Sequence, residues 1–180
     1  MIANKAVMKT LILGLGNPIL GDDSIGWKVV EQVKLLSSES LDSNQIDGKR
    51  TQRFLEFECY AVGGISLMEN LIGYDHVWII DAIHTDRYPI GTLVCKKLDD
   101  FKDIPFGHLT SAHDMSLQTA LELGRSIGAD LPAEINIIGI ETDIQFEFSD
   151  ELSEPLRKTF PKVVNQVMHL IQQEVNNDLS

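Results

Sequence analysis

The apolar residues of this chain fall into short runs, and polar stretches with helical spacing separate them. Residues 10–15 (TLILGL) are almost unbroken in apolar character, as expected of a strand covered on both faces. Behind them Ile25, Val29, Val30, Val33 and Leu36 recur at helical spacing, which predicts a helix over 24–36 with Asp22, Asp23 and Ser24 as cap candidates. Residues 37–53 are polar and aperiodic, a surface connection rather than a domain boundary. Residues 54–62 (FLEFECYAV) alternate and predict a second strand that ends at Gly63-Gly64. Ser66-Leu67-Met68-Glu69 fits the capping box of a short helix that Gly73 stops. A third strand over 76–80 runs into Asp81. Tyr88-Pro89-Ile90-Gly91 then turns the chain into a short strand over 92–96, close enough for a hairpin rather than a crossover. A helix over 114–127, a fifth strand over 135–140 and a closing helix over 152–175 complete the pattern. In that last helix Pro155 suits the first turn, and Pro161 demands a kink or a fresh start.

Strands alternating with helices predict an α/β fold, a three-layer αβα domain around a mixed five-stranded sheet with one antiparallel strand. The 180 residues, 43% hydrophobic and 23% charged, suit a single domain over 1–180 with a substantial core. Fifteen Lys and Arg against 27 Asp and Glu leave a net charge of −12, which argues against a nucleic-acid partner. With no eighteen-residue apolar run and no signal-like opening segment, the expectation is a cytoplasmic monomer without membrane association. Cys59 and Cys95 lack a C-x-x-C partner and fall in β-like runs, so both are expected to be reduced core fillers.

In parallel α/β sheets, ligand sites gather in the loops beyond the carboxyl ends of the strands. That rule selects residues 14–26, 81–85 and 107–114. The first segment, GLGNPILGDDSIG, superficially invites a dinucleotide. Its spacing refuses one, because Ile19 stands where the third glycine of the fingerprint belongs, and two carboxylates would repel a pyrophosphate. Asp22 and Asp23 are open to two readings, helix caps or cation ligands. Asp81 follows Val77-Trp78-Ile79-Ile80 without a break; a carboxylate held there needs a cation or backbone donors. His113 lies in Thr110-Ser111-Ala112-His113-Asp114 and is either a surface residue or a ligand. Asp114 beside it would orient the imidazole or cap the following helix. His84 and His108 sit in loops near the candidate site, whereas His76 and His169 are read as structural. Two carboxylates and one imidazole from three loops would make an open site suited to nickel, zinc or manganese. A nucleophile-based site is harder to build, since both cysteines fall in strand-like runs and Ser24, Ser66, Ser111 and Ser116 read as capping or loop residues, and no H-E-x-x-H pair suggests a zinc protease.

The blocks LILGLGNPILGDDSIG, DHVWIIDAIHTDRYPIGT and TSAHDMSL resemble, in this order, the hydrogenase maturation endopeptidases, which process the large subunit of nickel-iron hydrogenases. The resemblance runs from about residue 10 to residue 175. It implies a phosphorylase/hydrolase-like αβα fold and metal binding by Asp23, Asp81 and His113, which would also be the catalytic residues, with Asp22 as the alternative to Asp23. It further implies removal of a C-terminal extension from the hydrogenase large-subunit precursor. Nickel would be supplied by that precursor, with another divalent metal as substitute. Gly63-Gly64 would wall the crevice for the extended peptide. GLGNP also opens the peptidyl-tRNA hydrolases, but a T-R-H-N-like run follows there, whereas Gly21-Asp22-Asp23-Ser24 stands here. A non-catalytic nickel-sensing maturation factor on the same scaffold is a third reading.

Overall fold

The computed structural model describes residues 8–41, 53–100, 116–143 and 148–177. Strands β1 (Met8–Leu15), β2 (Arg53–Tyr60), β3 (His76–Ile83), β4 (Leu93–Lys97) and β5 (Glu134–Glu141) form one sheet in the order β2-β1-β3-β5-β4. Helices α1 (Ile25–Leu41), α2 (Gly64–Asn70), α3 (Leu117–Ser126) and α4 (Glu154–Asn177) cover it.

The period-two alternation of the strands divides the core by face. On one face Leu11, Leu13, Val77, Ile79, Ile83, Ile135 and Ile137 pack with Leu67, Met68 and Leu71 of α2 and Leu117, Ala120 and Leu121 of α3. On the other, Ile12, Trp78, Ile80, Ile138 and Ile140 meet Val29, Val30 and Val33 of α1 and Leu156, Val163, Val164 and Val167 of α4. The expected αβα layering is therefore present, and β1 and β3 are apolar over residues 11–15 and 77–80 because both of their faces are covered there.

The antiparallel strand is also present, but its partner is not β3. β5 runs parallel beside β3, with Ile79 opposite Ile137, and β4 pairs antiparallel with the far side of β5, with Cys95 opposite Ile138. A hairpin between β3 and β4 would have left the apolar β5 on an edge, and the observed order buries it instead. Edge placement also overturns the core reading of Cys95, which is exposed; Cys59 is half-buried against the α1–α4 core.

Other boundaries shift for local reasons. α2 begins two residues before the expected capping box, because Gly63 and Gly64 turn the chain straight off β2, with Gly64 at φ +53°. Ser66 therefore lies inside the helix and no side chain caps it at Gly63. Ser116 caps α3, its hydroxyl accepting the Thr119 amide at 3.2 Å, two residues beyond the cap position that the sequence offered. In α3, Leu117, Ala120 and Leu121 are buried, whereas Leu123 is 43% exposed. α4 is one continuous helix through Pro161, with no fresh start.

Candidate functional site

Three glycines determine how the first loop meets the sheet. A Cβ on Gly26, in the first turn of α1, would run into the carbonyl oxygens of Leu15 and Ile80, and one on Gly14 would meet the Gly26 carbonyl. One on Gly16 would strike the Asp23 carbonyl. Backbone therefore lies against backbone where β1 and β3 end. Gly14, Gly16 and Gly26 of GLGNPILGDDSIG serve this close backbone packing.

Because Gly14 is in register with Ile80, Gly16 stands just beyond the level of Asp81, and the 3-10 turn Gly21–Ser24 folds over it. The loop is fixed internally. The Leu20 amide donates to the Asn17 carbonyl at 3.1 Å, the Asp23 amide to the Leu20 carbonyl at 3.1 Å, and the Asn17 amide to Asp23 Oδ2 at 2.7 Å.

The adjacent aspartates have different surroundings. Asp22 is 3% exposed, and its Oδ1 accepts the Ser153 amide, 131 residues away, at 2.6 Å. Its Oδ2 has no hydrogen-bond partner among the described residues. It thus ties the loop to the start of α4 and does not cap α1, as the sequence had left open. Asp23 is only half-buried and presents its carboxylate on the loop above the strand ends.

Asp81 lies within β3 rather than after it, opposite Gly139. It is completely buried, and its Oδ1 accepts the Ala82 amide at 2.9 Å. By alternation it shares the face of Val77, Ile79 and Ile83, the side covered by α2 and α3. Asp23 thus lies in the turn that follows β1, and Asp81 lies in β3 beside the end of β1. His113, His108 and Asp114 lie outside the described residues. Among the described residues no three His, Cys, Asp or Glu side chains form a metal-holding group.

One organising residue escaped sequence reasoning. Glu141, at the end of β5, is 2% exposed. Its Oε1 accepts the amides of Thr85 at 2.7 Å and Asp86 at 3.0 Å, and its Oε2 accepts the Thr85 hydroxyl at 2.7 Å. These bonds hold the turn after β3, where Asp86 adopts φ +56°. His84 in that turn bonds the Thr142 carbonyl through Nδ1 at 2.9 Å and faces Asp86 Oδ2 through Nε2 at 3.2 Å. The Thr142 carbonyl and the nearby carboxylates of Asp86 and Glu141 raise the His84 pKa, against a smaller opposing effect of burial. The signal for Glu141 was available, since it ends the apolar run INIIGI as Asp81 ends VWII.

Cys59 is no nucleophile. Burial, reinforced by Glu31 and Glu58, pushes its thiol up to about 12, and only the thiolate attacks.

Comparison with known proteins bears on what this arrangement serves. A family model for hydrogenase maturation proteases (HycI) matches residues 62–170, more than half of the chain, including Asp81 and His113. The hydrogenase 2 maturation protease of Escherichia coli K12 is 26% identical over 133 residues, which span 74% of this chain and 73% of that protein. The hydrogenase expression/formation protein HoxM of Azotobacter vinelandii is 26% identical over 82% of this chain, but the match spans only 64% of its own length. In fold, the chain resembles the maturating endopeptidase HybD of E. coli (TM-score 0.66, 22% identity, 93% of this chain and 94% of that one). It also resembles the HybD protease of Thermococcus kodakarensis (TM-score 0.61, 24% identity, 91% of this chain and 99% of that one). The block shared with peptidyl-tRNA hydrolases is thereby resolved in favour of a protease: the chain belongs to the hydrogenase maturation protease family.

Proposed function

We propose that this protease removes the C-terminal extension from the nickel-loaded large-subunit precursor of a nickel-iron hydrogenase, and that Asp23, Asp81 and His113 recognise the precursor's own nickel. The observation that carries the reading is Asp81, a carboxylate buried to zero exposure inside an otherwise apolar strand. Such a group is costly to desolvate unless it serves a cation or a full set of donors. It stands at the strand ends over which the loop carrying Asp23 is folded. Two carboxylates and an imidazole form a donor set that suits a divalent transition metal and leaves coordination positions open.

Nickel held by Asp23, Asp81 and His113 would supply Lewis-acid chemistry for hydrolysis of the scissile bond. The chain's contribution is positional. Asp81 is held by the sheet, Asp23 by the Asn17 amide, and the Gly63-Gly64 turn into α2 lets an extended backbone approach closely. Cytoplasmic location and a monomeric state complete the proposal.

The test compares nickel-loaded and nickel-free precursor as substrates and weighs the products by mass spectrometry. Loss of the extension from the loaded form alone is expected, and equal cleavage of both would sink nickel recognition. Asp81→Asn and His113→Ala are expected to lower processing by at least about a hundredfold, in the range seen when a group acting in the transition state is removed. Full activity of His113→Ala would remove that residue from the site.

A further inference from the structure

We infer that Ile19 and Phe148 form an apolar docking lip for the large-subunit precursor beside the Asp23 loop; the inference rests on the substrate proposed above. Ile19 is 55% exposed and Phe148 is 85% exposed. They come from distant parts of the chain, yet the backbone joins them. Leu20 and Ser149 form a parallel bridge, with the Ser149 amide donating to the Ile19 carbonyl at 3.0 Å and the Gly21 amide to the Ser149 carbonyl at 2.7 Å. Residues 19 and 148 each precede a bridged residue, so the two exposed residues are carried on adjacent, backbone-paired segments.

Single exposed apolar residues are ordinary. This pair differs because its platform is fixed. Asp22 anchors the loop to Ser153, and Lys28 Nζ donates to the Asp150 carbonyl at 2.7 Å. A rigidly mounted aromatic and its aliphatic neighbour bind a partner at a low ordering cost.

The position selects the occupant. Ile19 is four residues from Asp23 in the same loop, so a protein whose scissile segment reaches Asp23 lies across the lip. Exposed Asp150 borders it, whereas the neighbouring Glu151 is paired with Arg157 Nη1 at 3.2 Å. The partner surface it fits is an apolar patch with a basic group facing Asp150, next to the precursor's C-terminal extension.

The experiment measures binding of nickel-loaded precursor to the intact chain by calorimetry, and processing of the same precursor under steady-state conditions. Ile19→Ser/Phe148→Ser is expected to raise Kd about tenfold or more, as for truncation of a central apolar anchor, with the processing defect appearing in KM. Ile127→Ser, which removes an exposed apolar side chain at the end of α3, leaves Kd and KM at the wild-type values. Phe148→Leu restores part of the affinity, which keeps the inference testable if the double variant folds poorly. Unchanged Kd in a folded double variant overturns the lip, and so does a change confined to self-association in the ultracentrifuge, which would make the pair a contact between copies. Wild-type binding through the lip without cleavage leaves the lip standing and removes the processing function. Absence of wild-type binding overturns both.

Discussion

Asp22 and Asp23 are chemically identical neighbours, and only tertiary contacts distinguish them. Asp22 spends its carboxylate on the Ser153 amide, while Asp23 holds Asn17 and stays half-exposed above the strand ends. Asp22→Ala should therefore cost stability, about 1 kcal/mol for a lost charge-assisted acceptor. Asp23→Asn keeps an oxygen for the Asn17 amide and should leave the urea midpoint nearly unchanged while abolishing processing of the precursor. The reverse pattern, with activity surviving in Asp23→Asn and lost in Asp22→Asn, would exchange their roles. The sequence could nominate this acidic pair but could not divide it, because the deciding partner lies 131 positions away. Glu141 shows a different shortfall. Its signature matched that of Asp81, but its donors, Thr85 and Asp86, lie 56 and 55 positions before it. Nothing local to INIIGIE points to them.

At the scale of elements, the sequence was most legible where a segment is buried on both faces. β1, β3 and β5 announced themselves as apolar runs, and glycines marked the turns. Strand order was less legible, since the short connection before β4 favoured a hairpin that the insertion of β5 displaced. The glycines of the first loop also read ambiguously until their neighbours were visible, because close packing and anion binding both require a missing side chain. A paired substitution separates these demands. Gly26→Ala would drive a methyl group into the carbonyls of Leu15 and Ile80, which two central strands cannot move aside, and should cost about 3 kcal/mol or more. Gly73→Ala meets nothing within 4 Å but must hold φ +85°, so its penalty should be about 1 kcal/mol. Chemical denaturation of the two variants measures the difference directly. Near-equal losses would mean that α1 can shift off the sheet, and the close seating of the Asp23 loop would not be obligatory.

For the molecule as a whole, the excess of acid sets the direction in which pH acts. A net charge of −12 at neutrality means that repulsion within the fold grows as pH rises and the histidines lose their protons. His84 adds a specific contribution of the same sign. Its folded pKa lies above the ordinary 6.5, chiefly because its ring bonds the Thr142 carbonyl, with the carboxylates of Asp86 and Glu141 facing it. A raised folded pKa means that the native state binds the proton more tightly than the unfolded chain does. The resulting stability is fully present below pH 6.5 and is lost as pH rises through the folded value. Urea unfolding from pH 5.5 to 8.5 should therefore show stability falling across neutrality, and His84→Gln should flatten the part that begins near 6.5. A nuclear magnetic resonance titration of the His84 ring gives the independent check, with a midpoint above 6.5 expected. A midpoint at or below that value, or a wild-type pH profile that His84→Gln leaves intact, would show that the turn held by Glu141 does not stabilise the imidazolium. The decline would then belong to the net charge alone, and raising ionic strength should flatten it by screening.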